Sequence, residues 1–96
     1  MLETAMVKVD GGVLQGIRVG LPNAAVLMLV GEKGFVGCGY FDPAVADKVS
    51  HALAVVSGVS SFDDMLSASV KTVSAKAAEL GITVGMSGAD AATLLV

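Results

Sequence analysis

The sequence predicts a single compact α+β domain in which helices pack on one face of a mostly antiparallel sheet. Short apolar or alternating segments separated by turn residues fill positions 3–41, as expected for consecutive hairpins. Every residue from 24 to 30 is apolar, which is typical of a strand covered on both faces. Helix-capping residues recur in the second half of the chain, at Asp42, Ser61, Ser74 and Ser87.

The first two strands form a hairpin over residues 3–9 and 13–21. The Asp10-Gly11-Gly12 turn between them supplies glycines that adopt positive φ angles at little steric cost. Because side chains alternate along a strand, one face of the second strand carries Val13, Gln15, Ile17, Val19 and Leu21.

The third strand, residues 24–30, lies between a Pro22-Asn23 turn and a turn over residues 31–34. Since it is apolar on both faces, we place it centrally in the sheet, with helices over one face. Its other face must also meet apolar surface, and another subunit would supply that surface.

The fourth strand, residues 35–41, contains the single cysteine and the single tyrosine of the chain. Alternation predicts that Val36, Cys38 and Tyr40 share one face and that the other face carries Phe35, Gly37, Gly39 and Phe41. A glycine inside a strand marks close approach by a helix, a ligand or a partner. We therefore expect a close contact at Gly37 and Gly39, and helix packing is its simplest form.

The first helix begins at Asp42-Pro43, since Asp42 can accept from free N–H groups and proline suits the first helical position. Its predicted apolar stripe consists of Val45, Val49, Ala52 and Leu53. The end of this helix is left open, because residues 53–59 are rich in β-branched side chains and also fit a fifth strand.

Three further helices are predicted. Ser61 caps a short one, with Asp64 as its capping-box partner. Ser74 caps the next, which runs to Leu80 and ends at Gly81. The last helix runs from Ala89 to about Leu95, and Ser87 is its predicted cap.

Composition favours a homo-oligomer, a dimer or larger. Of 96 residues, 54% are hydrophobic and only 16% are charged, which is more apolar material than one small core hides. The longest apolar run, residues 24–30, is far shorter than the ~20 residues of a membrane-spanning helix, so we expect no membrane association. The net charge is −3 and the basic residues are scattered, which argues against nucleic acid as a partner. One cysteine and no signal-peptide pattern are consistent with a cytoplasmic protein.

Four motifs follow one another in the chain: GCGYFD at 37–42, GV at 58–59, FDDML at 62–66 and AELGITVGMSG at 78–88. In this order and spacing they resemble the small YunC-like proteins of bacteria and archaea, a domain family of unknown function. The resemblance implies helices on a mostly antiparallel sheet and a stand-alone cytoplasmic protein. It also supports a strand within residues 53–59, which makes about five strands. It implies no reaction and no catalytic residues.

Cys38 is the candidate catalytic residue. A nucleophilic cysteine needs a nearby base, cation or helix N-terminus, and a helix starts four residues later at Asp42. The favoured interpretation, however, is that Cys38 is a small buried core residue. The lone His51 is a possible base, but its spacing does not bring it to Cys38. One histidine and one cysteine without paired spacing predict no metal site, and no cofactor is indicated.

Candidate ligand-binding residues lie in two places. Gly37, Gly39 and Asp42 would border a pocket between the fourth strand and the first helix. Ser87 and Gly88 would hold a small anion at the start of the last helix. Simple capping is the favoured interpretation, partly because Asp90 would repel an anion. The preferred function is a homo-oligomeric binding or interaction protein without catalysis, and the alternative is a small enzyme using Cys38 as nucleophile.

Overall fold

The computed structural model describes residues 2–96 as six strands and four short helices. In chain order they are β1 (Leu2–Val9), β2 (Gly12–Leu21), β3 (Ala24–Val30), β4 (Gly34–Gly37), α1 (Pro43–Lys48), β5 (Ala52–Val55), α2 (Phe62–Ser67), β6 (Thr72–Val73), α3 (Ala75–Glu79) and α4 (Gly88–Thr93). The strands form one sheet in the order β1-β2-β3-β4-β5-β6. The predicted α+β class and the hairpins over the first three strands are therefore confirmed.

The sheet is antiparallel except at β4 and β5, which run parallel and are connected through α1. The strand predicted within residues 53–59 is confirmed as β5, which begins one residue earlier than that range. The sheet has six strands rather than about five. The additional strand, β6, is only two residues long and pairs with the end of β5, so it is too short to show an alternating pattern.

One face of the sheet, which we call the core face, is covered by α2, α3 and α4. Leu14, Leu27, Leu29 and Val36 project from its central strands and are fully buried. They pack with side chains from the helices and the segments between them, among which Met65, Ala77, Ile82, Ala91 and Leu95 are also buried. The predicted placement of the third strand, central and under helices on one face, is confirmed.

Only α1 lies on the opposite face, and it covers β4 and β5. Ala46 of α1 packs on Leu53 and Val55, beside the Phe35 and Phe41 rings, whose centroids lie 5.3 Å apart at 77°. Strands β1 to β3 have no helix on this side. We call their uncovered surface the open face; it consists of Leu2, Thr4, Met6, Lys8, Val13, Gln15, Ile17, Val19, Leu21, Ala24, Val26, Met28 and Val30.

All four predicted helix caps are confirmed. The side chain of Asp42 accepts from the Ala44 N–H at 2.9 Å, and the hydroxyls of the three serines accept from N–H groups three residues later. Asp64 differs from the capping-box expectation in one respect: its carboxylate accepts from the Ser60 N–H, one residue before the cap.

The predicted stripe of the first helix is wrong. Val45 and Val49 are 59% and 56% exposed, and Ala46 is the buried position of the helix. Ala52 and Leu53 belong to β5, because the chain leaves the helix after Lys48 and turns into the strand. A helix this short presents only one residue to the sheet.

Ser74 links three elements through a hydroxyl that is completely buried. Its Oγ accepts from the Leu53 N–H at 2.9 Å and donates to the His51 carbonyl at 2.8 Å, in addition to capping α3. Capping alone was predicted for this residue. The hydroxyl therefore makes the hydrogen bonds that a neighbouring strand would otherwise make at the start of β5.

We predict that Ser74→Ala lowers the free energy of unfolding by about 2–3 kcal/mol, because it leaves the buried Leu53 N–H without an acceptor. Ser87→Ala is the matched control: its hydroxyl makes only the capping bond, which is worth about 1 kcal/mol. Urea denaturation of both variants measures the difference. Equal losses would show that the bridge to β5 contributes nothing.

Candidate functional site

The fourth strand ends at Gly37, four residues earlier than predicted, because the chain turns at Cys38. The Phe41 N–H donates to the Cys38 carbonyl at 3.1 Å and closes this turn. Val36 and Cys38 share the core face as expected, but Tyr40 does not join them and is 63% exposed. The alternation fails there because residues 39–41 no longer follow a pleated strand.

Gly37 and Gly39 have different surroundings. A Cβ built on Gly37 would lie 2.6 Å from Cδ2 of Phe41 and 3.2 Å from Cδ1 of Leu53. A Cβ on Gly39 would have only Ser57 within contact distance, at 3.9 Å. The close contact expected at the two glycines is therefore present at Gly37, where the Phe41 ring packs against the strand, and absent at Gly39.

Cys38 is buried, with 4% of its surface exposed. Its N–H donates to the Leu27 carbonyl at 3.1 Å, and its sulfur accepts from the Leu27 N–H at 3.4 Å. These two bonds tie the cysteine to the neighbouring strand β3, so both its backbone and its side chain are held in place.

A cavity of about 280 Å³ lies beside Cys38, at the carboxyl ends of the parallel strands β4 and β5. Loops that follow parallel strands meet at this edge of a sheet, which is the usual place for a ligand in α/β proteins. The cavity is lined by Ala25, Cys38, Gly39, Tyr40, Gly58 and Val59. The sequence patterns did not identify Gly58 and Val59 as neighbours of Cys38. A strand–helix–strand interpretation of residues 34–55 predicts a parallel pair, and the loops after two parallel strands lie at the same edge of the sheet.

The loop that forms one wall of this cavity is held by polar contacts. Arg18 Nε donates to the Ser60 carbonyl at 3.1 Å, and the Arg18 guanidinium also pairs with Glu3 at 3.2 Å. The Asp64 carboxylate accepts from the N–H and the hydroxyl of Ser60, each at 3.0 Å. These hydrogen bonds, above all the one from the Ser60 N–H, hold the pKa of Asp64 below its usual value.

His51 lies far from Cys38. It precedes the first residue of β5, whereas Cys38 follows the last residue of the parallel strand β4. The two are separated by about five strand residues, or roughly 16 Å. Asp42 is nearer in sequence, but its carboxylate caps α1. His51 therefore cannot act as the base for Cys38, and among residues 2–96 no three metal-ligating side chains cluster.

Ser87 and Gly88 make intramolecular contacts. The Ser87 hydroxyl accepts from the Asp90 N–H at 3.1 Å, and the Gly88 N–H donates to the Ala68 carbonyl at 2.8 Å. Gly88 also lies against the Met65 carbonyl of α2, where a Cβ would overlap the oxygen. Anion binding at Ser87 and Gly88 remains a prediction, since capping and packing already use these groups.

The open face is an apolar surface that spans three strands and is covered by no helix. Met6 and Leu2 are 73% and 65% exposed, and Val13, Val19 and Leu21 are also exposed. Within the described strands, Lys8 is the only charged residue on this face, and it lies at one end. A sheet face that meets water normally carries mostly polar residues, so the apolar composition of the open face is unusual.

The profile described as "Domain of unknown function (DUF1805)" matches residues 37–95. The chain belongs to the DUF1805 family. It is also 28% identical over 95 residues to the uncharacterized protein YunC of Bacillus subtilis (strain 168), covering 95% of this chain and 94% of YunC.

A crystal structure of the protein of unknown function TA1206 from Thermoplasma acidophilum has the same fold. It superposes with a TM-score of 0.94 at 33% identity, and the match covers 100% of this chain and 94% of that chain. The predicted resemblance to YunC-like proteins is thereby confirmed. The matched DUF1805 region contains Cys38, the loop at residues 56–61 and α1, whereas the first three strands lie before it. No helix among residues 2–96 is long and apolar enough to cross a membrane.

We predict that Gly37→Ala and Gly39→Ala differ in stability although they are two residues apart. The methyl group at position 37 must displace the Phe41 ring, which costs about 1–3 kcal/mol. The methyl group at position 39 has open space, so its effect stays within about 0.5 kcal/mol. Thermal or urea denaturation tests this. A loss at position 39 as large as at position 37 would contradict the assignment of the close contact.

Proposed function

We propose that this DUF1805 protein is a cytoplasmic, self-associating interaction domain without catalysis, and that the open face is the surface through which it assembles. The observation that carries this proposal is the exposure of Leu2 and Met6 on a face that contains a single charge. Exposed apolar patches of this kind mark interaction surfaces in soluble proteins.

The shape of the sheet supports the same conclusion. Three strands spaced by about 4.8 Å make the open face roughly 14 Å wide, and an eight-residue strand such as β1 makes it about 27 Å long. The resulting area is about 400 Å² of sheet plane, and sheets pack face to face through surfaces of this kind.

We predict that the purified protein sediments as a dimer or larger species at micromolar concentration, and that Val19→Lys shifts it toward monomer by burying a charge in the contact. Ala78→Lys is the matched control, because Ala78 is exposed on α3 on the other side of the sheet. Analytical ultracentrifugation distinguishes the two. A monodisperse wild-type monomer, or equal dissociation by both substitutions, would overturn the proposal.

A second candidate function is a small enzyme that uses Cys38, and the cavity of about 280 Å³ beside the thiol favours it. A ligand in this cavity would contact Gly39 and Gly58 from the loops that follow the two parallel strands. The burial of the sulfur and its bond to the Leu27 N–H support the non-catalytic proposal instead.

Thiol labelling at pH 6 separates the two functions. Under the preferred proposal, Cys38 of the native protein reacts more slowly than free cysteine and is labelled fully only in denaturant, because 4% of the residue is exposed. Labelling of the native protein faster than free cysteine would favour the enzyme. Since Cys38 is the only cysteine, mass spectrometry follows the reaction at one site.

A further inference from the structure

We propose that the cavity beside Cys38 binds a small uncharged molecule that carries an amide group and a short apolar body. The cavity lies at the carboxyl ends of β4 and β5, and no residue of the open face lines it. The site is therefore separate from the surface of the proposed self-association. Binding of the molecule also requires no reaction at the thiol.

Gly39 is a glycine that the fold itself does not require. Glycine is usually needed where φ is positive or where another group approaches closely. The φ angle of Gly39 is not positive, and a Cβ built on it would have only Ser57 within contact distance, at 3.9 Å. The missing side chain therefore leaves room in the cavity, where a ligand can approach the backbone.

The opposite wall of the cavity also presents bare backbone. Gly58 has a φ of 71°, which explains why a glycine stands there, and a Cβ built on it would meet nothing within 4 Å. Its neighbour Ser57 is the residue that the Cβ on Gly39 would approach. The loops after β4 and β5 thus lie on the two sides of one unfilled gap.

Both loops carry free hydrogen-bonding groups. The N–H groups of Gly39, Tyr40, Gly58 and Val59 donate to no backbone carbonyl among residues 2–96, and their own carbonyls accept from no backbone N–H there. An amide group provides an acceptor oxygen and N–H donors together. It therefore complements a site whose walls offer free backbone groups of both kinds.

The thiol at the floor of the cavity adds a buried donor. Cys38 is 4% exposed, and within the described part of the chain the only hydrogen bond of its sulfur is the one it accepts from the Leu27 N–H. The thiol proton is thus left without an acceptor. A thiol is a weak donor, and an amide oxygen at the floor of the cavity would accept from it.

The lining and the volume define the rest of the ligand. Among the residues that the structure describes, no charged side chain lines the cavity, so a charged ligand would lose hydration without gaining a partner. Ala25 and Val59 offer apolar surface, and the exposed Tyr40 ring stands at the mouth. The volume of about 280 Å³ equals that of roughly nine water molecules, which limits the ligand to about ten non-hydrogen atoms.

Titration followed by nuclear magnetic resonance tests the site. The probe is 3-methylbutanamide, and 3-methylbutanoate and 3-methylbutylammonium are its charged counterparts. We expect saturable shifts of the Gly39, Tyr40 and Gly58 amide resonances, with a Kd on the order of 1 mM for so small a molecule. The charged probes bind at least about fivefold more weakly. Equal binding of a charged probe overturns the ligand class, and the absence of saturable shifts with the amide overturns the site.

Filling the gap at Gly39 provides a matched pair of variants. We expect Gly39→Leu to raise the Kd of the amide by more than about tenfold, because the new side chain occupies the space in front of Ser57. Ala78→Leu adds its side chain at an exposed position of α3 and leaves the Kd unchanged. Gly39→Ala, with its smaller side chain, raises the Kd by about threefold. Wild-type affinity in both Gly39 variants, or an equal loss in Ala78→Leu, overturns the site.

A second pair of variants tests the contact with the thiol. Cys38→Ser retains a donor and binds the amide within about twofold of the wild type, whereas Cys38→Ala removes the donor and binds about fivefold more weakly. Urea denaturation checks that both variants are folded. Wild-type affinity in Cys38→Ala overturns the contact between the thiol and the ligand.

The chain contains its own reporters for this cavity. Cys38 is the only cysteine and Tyr40 the only tyrosine, and the chain has no tryptophan. Because both residues line the cavity, the amide at ten times its Kd slows thiol labelling about tenfold, and tyrosine emission changes with the same midpoint. Resonance shifts without protection of Cys38 would place the ligand elsewhere and overturn the proposal.

Discussion

The parallel pairing of β4 and β5 is the constraint on which the rest of the structure depends. Antiparallel neighbours are joined by tight turns, as in the first three strands, whereas a parallel pair needs a connection that returns along the sheet. Here α1 makes that return on the face opposite to α2, α3 and α4. The sheet therefore has one complete helical layer and one helix on its other side.

Two consequences follow from this one connection. The loops after β4 and β5 meet at one edge of the sheet, where they enclose the cavity beside Cys38. On the opposite face, α1 covers two strands and leaves β1 to β3 without a helix. The apolar side chains of these three strands therefore form one continuous surface. The cavity and the open face thus have a common origin but differ in chemistry, because the cavity is lined by a thiol and two glycines whereas the open face is mostly apolar.

The segment from Gly37 to Asp42 joins these two regions. Gly37 has no side chain, which lets the Phe41 ring lie on β4 and turn the chain into α1. Cys38 is held against Leu27 on the core face, whereas Tyr40 projects into solvent between the two regions. The geometry of this turn accounts for Gly37, Cys38 and Phe41, whereas Gly39 and Tyr40 line the cavity.

The sequence by itself predicted the helix starts, the first three strands and their turns, because caps, turns and strand alternation depend on residues close together in the chain. The order and spacing of its motifs also predicted the family. The third strand, apolar at every position from 24 to 30, also predicted that the sheet has a second apolar face. Tertiary structure alone decided that β4 ends at Gly37, that Ser74 bridges to β5, that His51 is remote from Cys38 and that Val45 and Val49 point away from the core. Each of these depends on contacts between residues distant in the chain, or on the parallel crossover that places them, and short-range periodicity carries no information about either.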